Sequence, residues 1–103
     1  MKWETNMDDK LKQIINHYGV IPQLKYLQSE VFELNEAIIN YEYDCIEYEE
    51  VERDLKKHII EEIADVMVML EQFIEYYNID RFEIAKVMNY KTNRQLERIE
   101  NEQ

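Results

Sequence analysis

Glycine, proline and cysteine each occur once in this chain, and basic residues are about half as frequent as acidic ones, 12 against 23. Each scarcity excludes something. With one Gly and one Pro in 103 residues there are few breakers, while Glu, Leu, Ile and Lys abound, so the chain is expected to be all-helical. A single cysteine, Cys45, rules out an intramolecular disulfide framework and reads as incidental. The longest apolar stretch of the middle region, "VMVML", is too short to cross a bilayer. The opening "MKWETNMDDK" lacks the apolar segment of a secretory signal, so a cytoplasmic location is expected. A net charge of −11, with a pI near 4.5, repels nucleic-acid phosphates at long range, so no nucleic-acid partner is expected, and no membrane partner either.

What is present reads as one domain, residues 1–103, large enough for one modest core. Apolar residues make up 46%, which is ordinary for a globular protein and argues against disorder. "NMDDKLKQIINHYG" predicts a first helix, capped by Asn6 and closed by Gly19. Pro22 suits the first turn of a second helix, running to the low forties. Its Leu24, Leu27, Val31, Leu34, Ile38 and Tyr41 form a heptad-like seam. Residues 42–54 fit either a loop or extensions of the flanking helices. A third helix is expected over about 54–77, with Leu55, Ile59, Ile63, Val66, Leu70, Phe73 and Tyr77 as its seam and Asn78 as its stop. Asp80 and Glu83 form a capping-box-like pair that opens a fourth helix. A four-helix arrangement follows, with the last three helices longest.

Two acidic pairs stand beside these seams. Glu30 and Glu33 are three apart, as are Glu62 and Asp65, so each pair shares one helix face. If helices two and three pack antiparallel, the pairs face each other. Four carboxylates that close repel unless their pKa values rise or a cation binds, and hard oxygen ligands suit Mg²⁺, with Mn²⁺ as a substitute. Spacing alone fits a pair of solvated flanks equally well. A stripe of Lys91, Arg94 and Arg98 on helix four adds a second signal, because cations opposite an acidic metal cluster are what a polyphosphate ester requires. The alternative is local pairing of these cations with Glu97 and Glu100.

The pattern E-x-x-E, 28 residues, E-x-x-D, here "EVFE" and "EIAD", resembles the MazG-like all-α nucleoside triphosphate pyrophosphohydrolases. "QLKYLQSEVFELNEAI", "HIIEEIADVMVMLEQF" and "YKTNRQLERIE" carry the resemblance, over residues 22–100. It implies a four-helix bundle completed by oligomerisation, as a homodimer or homotetramer, in the cytoplasm of a bacterium or a phage-infected host. It further implies Mg²⁺-dependent cleavage of a nucleoside triphosphate to monophosphate and pyrophosphate, in nucleotide-pool house-cleaning. Carried over, Glu30, Glu33, Glu62 and Asp65 are the metal ligands, Glu30 or Glu33 accepts a proton from water, and Lys91 and Arg94 contact phosphate. Ser29 departs from the family pattern, which often has a glutamate there, whereas Glu61 keeps it in the second motif.

Other residues carry two readings. His58, four before Glu62, can share its metal, hydrogen-bond it or simply be half-buried. His17 is expected near the negative end of the first helix. Among the tyrosines, Tyr41, Tyr43 and Tyr48 are the candidates to stack on a base, with Trp3 and the rest read as core or interface. Met67 and Met69 are read as packing residues. A non-catalytic acidic helical interaction protein is the alternative to the enzyme. A di-iron bundle is disfavoured, because no Glu-x-x-His motif is present.

Overall fold

The computed structural model describes residues 6–44 and 49–102. These form four helices: α1 (Met7–Tyr18), α2 (Val20–Tyr43), α3 (Glu49–Tyr76) and α4 (Arg81–Glu102). No strand occurs among the described residues, so the protein is all-α, and the last three helices are the longest, as expected. Trp3, Cys45 and Tyr48 lie outside the described residues. The ambiguous 42–54 segment supplies the end of α2 and the start of α3, with residues 45–48 outside the description.

Local chemistry sets the boundaries. Asn6 Oδ1 accepts the Asp9 N–H at 2.9 Å, which satisfies one of the orphan donors at the start of α1. Gly19, at φ 90°, donates to the Ile15 carbonyl at 2.8 Å and is also the N-cap of α2. One residue thus ends one helix and begins the next, so α2 starts two residues before the expected Pro22. A side chain at Gly19 would be strained by that φ. Asn78 is left-handed at φ 53°, with Ile79 N–H on the Ile74 carbonyl (2.9 Å) and Asn78 N–H on the Glu75 carbonyl (3.2 Å). That pair of bonds is the Schellman motif, with Asn in the place usually held by Gly. Asp80 Oδ1 then accepts the Phe82 N–H at 2.9 Å and opens α4.

α2 and α3 pack as an antiparallel pair: Tyr41 bonds Glu52 at one end and Gln23 bonds Gln72 at the other. α1 lies against both, inserting Leu11 and Ile15. The other buried apolar residues among those described are Ala37 and Met69. α4 buries no residue and packs along none of the other three helices. Its projection agrees with a radius of gyration of 17.6 Å, against about 13 Å for a compact chain of this length. Among the described residues, α4 is tied to the rest by ion pairs near its start, where the Arg81 guanidinium meets Glu71, Glu75 (3.2 Å) and Asp8 (3.7 Å).

The expected seams need a correction. On α2 the inward residues are Gln23, Leu27, Glu30, Leu34, Ala37 and Tyr41, while Leu24, Val31 and Ile38 are exposed. On α3 they include Leu55, Ile59, Glu62, Val66, Met69 and Phe73, while Ile63, Leu70 and Tyr77 are exposed. On α2, and on α3 from Ile59 onward, alternate members of the expected seam face outward, and a neighbouring residue takes the inner place. Both helices carry apolar residues on two adjacent stripes, and the chain buries the stripe that contains the acids. Met69 packs inward as expected, whereas Met67 is exposed.

Candidate metal centre

Glu30 and Glu62 occupy interior positions of the α2–α3 interface rather than its border. Their exposures are only 7% and 8%. Asp65, one turn beyond Glu62 on α3, reaches the same point from the solvent side. One carboxylate oxygen from each of the three lies within 4.8 Å of the others. Crowding three acids together, two of them buried, has an electrostatic cost, and Glu30 shows it. Its carboxyl titrates above the ordinary 4.5, first because burial disfavours the charged form, then because Glu33, Asp65 and Glu62 repel it and Asp65 shares a hydrogen bond with it.

Two oxygens in this cluster are buried and accept no hydrogen bond: Oε2 of Glu30 and Oε2 of Glu62. A buried carboxylate oxygen without a partner loses its hydration and receives nothing in return. The other Glu62 oxygen, Oε1, lies 3.2 Å from His58 Nε2, so His58 holds the carboxylate from outside. Three hard oxygen donors, two of them unsatisfied, fit a divalent cation such as Mg²⁺ or Mn²⁺. No cation of the chain itself neutralises the cluster among the described residues, His58 apart.

A groove of about 520 Å³ opens from this point. Glu30 and Asp65 stand at its acidic end, and Gln23, Gln72, Tyr18 and Tyr26 line it toward α1. Gln23 Nε2 donates to Gln72 Oε1 at 2.8 Å, and Gln72 Nε2 donates to Met69 Sδ at 3.6 Å. Both glutamines are buried, Gln72 to 2% exposure.

The expected site residues separate into three groups. Glu30, Glu62 and Asp65 come together. Glu33 lies close enough to raise the Glu30 pKa, but it is exposed and lines an open surface with Lys25, Gln28, Ser29 and Phe32. Lys91, Arg94 and Arg98 share one face of α4 and line a hollow there, with the Arg94 guanidinium 5.9 Å from the Tyr90 ring centre. None of them lines the acidic groove of its own chain. None forms the local ion pair that Glu97 or Glu100 could have supplied.

Ser29 is exposed and bonds back to the Lys25 carbonyl at 3.5 Å, away from the acids. The tyrosines at the groove are Tyr18 and Tyr26 instead of the expected Tyr41 and Tyr43, which sit at the opposite end of α2. Tyr41 there donates to Glu52 at 3.0 Å. Gln23 and Gln72 were not visible as site residues, since a polar residue at an interior heptad position is the only signal they leave. His17 sits in the last turn of α1, edge-on to Tyr18 at 4.7 Å. No helix among the described residues is long and apolar enough to cross a membrane. No family model, curated protein or solved structure matches the chain.

Proposed function

We propose that this protein is a Mg²⁺-dependent nucleoside triphosphate pyrophosphohydrolase of the MazG-like kind, releasing a nucleoside monophosphate and pyrophosphate. The observation that carries the reading is the pair of buried, unsatisfied oxygens on Glu30 and Glu62, beside Asp65 and at the end of a groove. Glu30, Glu62 and Asp65 would hold the cation, with Glu33 available from the rim. When bound, the cation supplies positive charge to the triphosphate and acidifies a water. Glu33 lies outside the trio and is placed to accept the water's proton, because it is exposed and one turn from Glu30. His58 bonds Glu62 through Oε1, so Oε2 would remain available to a cation.

Lys91 and Arg94 serve as phosphate contacts in this reading, supplied by the α4 of a second copy. Three features support such a homo-oligomer. α4 buries nothing, yet exposes Val87, Met88, Leu96 and Ile99. α3 exposes Ile60, Ile63, Met67 and Leu70 along one face. Among the described residues the cationic stripe of α4 has no acidic partner and the acidic trio no Lys or Arg partner, so each complements the other across an interface. A homodimer or homotetramer in the cytoplasm, acting on the nucleotide pool, completes the reading.

The deciding experiment is pyrophosphate release from a panel of common and modified nucleoside triphosphates, with Mg²⁺ or Mn²⁺ present. Release from at least one member is expected, and its absence from all of them would overturn the activity. The exposed apolar faces also favour a second reading, a non-catalytic helical interaction protein. That protein would show no Mg²⁺ effect on melting and would tolerate loss of the Glu62 charge.

A further inference from the structure

The acidic trio uses one end of the groove, and the other end carries its own chemistry. Gln23 and Gln72 come from α2 and α3, and both side chains are more than nine-tenths buried. A primary amide offers two N–H donors and one oxygen with two lone pairs. Among the described residues Gln23 makes a single side-chain hydrogen bond, to Gln72. Gln72 accepts that bond and donates one more, to the weakly accepting thioether of Met69. Most of the capacity of two buried amides is therefore unused, and both residues line the groove. Neither amide has a buried nitrogen or oxygen left without a partner, so the unused groups are those open to the groove.

The bond between the amides fixes their orientation: Nε2 of Gln23 is committed to Oε1 of Gln72, so the Gln23 oxygen and a remaining N–H of each side chain are available. Donors and an acceptor then stand side by side at the base of the groove. Tyr18 and Tyr26 rise at its walls with exposed rings, beside Ile14, Pro22 and Val68. Planar amides for an edge and aromatic or apolar walls for a face suit a flat heterocycle. Gln23 lies seven residues from Glu30 on α2, and Gln72 lies seven from Asp65 on α3. Two helical turns place the amides about 10 Å from the acids along the axes, which matches the span from the α phosphate of a nucleotide to the far edge of its base.

We propose that Gln23 and Gln72 form a nucleobase-reading site, recognising a base edge that presents a donor beside an acceptor while its face lies against Tyr18 or Tyr26. This rests on the pyrophosphohydrolase reading for its phosphate end, but the amide site has its own readout. The side-chain NH₂ signals of Gln23 and Gln72 are followed by NMR in the unmodified protein, titrated with each nucleoside monophosphate, with Mg²⁺ alone and with inorganic tripolyphosphate. They are expected to shift with the nucleotides of one base type and to stay in place with Mg²⁺ or tripolyphosphate.

The Gln23→Met and Gln72→Met variants keep the volume and remove the amides. Each is expected to lower kcat/KM for the preferred nucleotide about 10- to 100-fold, while the rise in melting temperature with Mg²⁺ alone is kept. Amide signals that ignore every nucleotide, or variants that retain full base preference, would overturn the site. Cleavage with no base preference, together with silent amides, removes this inference and leaves the activity standing. Amides that respond to nucleotides in a protein that cleaves none of them remove the activity and leave the base site standing.

Discussion

Two acidic clusters sit on α3 about three turns apart, and the chain treats them in opposite ways. Glu71 and Glu75, with Asp8 of α1, surround the Arg81 guanidinium, and Lys12 reaches Glu75 at 3.8 Å. The hydrogen bond from Arg81 to Glu71 raises the Arg81 pKa further, so the cation there is permanent. This cluster is satisfied by the protein's own charges, and what it does is hold the α3–α4 corner to α1. In the other cluster Glu30 and Glu62 are buried and Asp65 is exposed; among the described residues His58 is the one basic partner, and two oxygens accept no hydrogen bond. Identical side-chain chemistry thus produces a structural clasp where Arg is supplied and an acidic cluster without Lys or Arg where it is not. Acid count alone distinguishes nothing between them; the missing cation does.

The contrast breaks most sharply at Glu62. Glu62→Gln removes one charge from the open cluster, and pyrophosphate release is expected to fall by at least about 100-fold, since even supporting residues around a metal cost that much. Helical content by circular dichroism should stay near wild type. Full activity in this variant would mean the open cluster holds no catalytic cation.

Mixing two defective variants tests where the cations of α4 act. Glu62→Gln and Arg94→Ala chains are each expected to be inactive alone. Unfolded and refolded together in equal amounts, they should recover about a quarter of wild-type activity, because half the assemblies are mixed dimers with one intact site of two. No recovery would place Arg94 at the site of its own chain or at none.

Thermal melting compares the clusters directly. A cation that binds only the folded state adds about 2.7 kcal/mol at a hundredfold excess over its Kd, a rise on the order of 10 °C in a chain of this size. Glu62→Gln should lose that rise. Arg81→Ala should melt lower than wild type yet keep the full Mg²⁺ response, because the clasp takes no part in it. An Mg²⁺ response lost in both variants would show that the clusters are not independent.

The smallest effect is in the pH dependence. The folded pKa of Glu30 lies above its unfolded value of 4.5, so folding disfavours its charged form. That penalty is complete above the folded pKa and is relieved as pH falls through it toward 4.5. Through this group, metal-free protein gains stability on acidification from neutral pH, on the order of a few degrees in Tm. Glu30→Gln should flatten the gain and raise the melting temperature at neutral pH. A Glu30→Gln profile parallel to wild type would remove Glu30 as its source.

Helix limits were legible because the residues that set them act within one turn. Asn6, Gly19, Asn78 and Asp80 each meet a backbone group no more than five positions away. Pairing of the acids was legible in part, since i,i+3 spacing puts Glu62 and Asp65 on one face wherever the helix goes. The same spacing does not separate depth: Glu33 shares a face with Glu30 but sits at the exposed edge of it. The seams were misread by alternate positions, because α2 and α3 each carry two apolar stripes and hydropathy favours Leu24, Val31 and Ile63 over Gln23, Glu30 and Glu62. A residue count cannot say which stripe meets its own chain.

The sequence by itself determined an all-α protein, those helix ends that carry a capping residue and the shared face of each acidic pair and of the α4 cations. Those are consequences of short-range geometry: 3.6 residues per turn and a few capping hydrogen bonds. Only the tertiary structure decided that Glu30 and Glu62 are interior while Glu33 is not, that Gln23 meets Gln72, and that Arg81 neutralises one acidic cluster and not the other. Each of these joins residues from different helices, and which helix faces meet is settled by packing the whole chain at once, where burying one stripe necessarily exposes its neighbour.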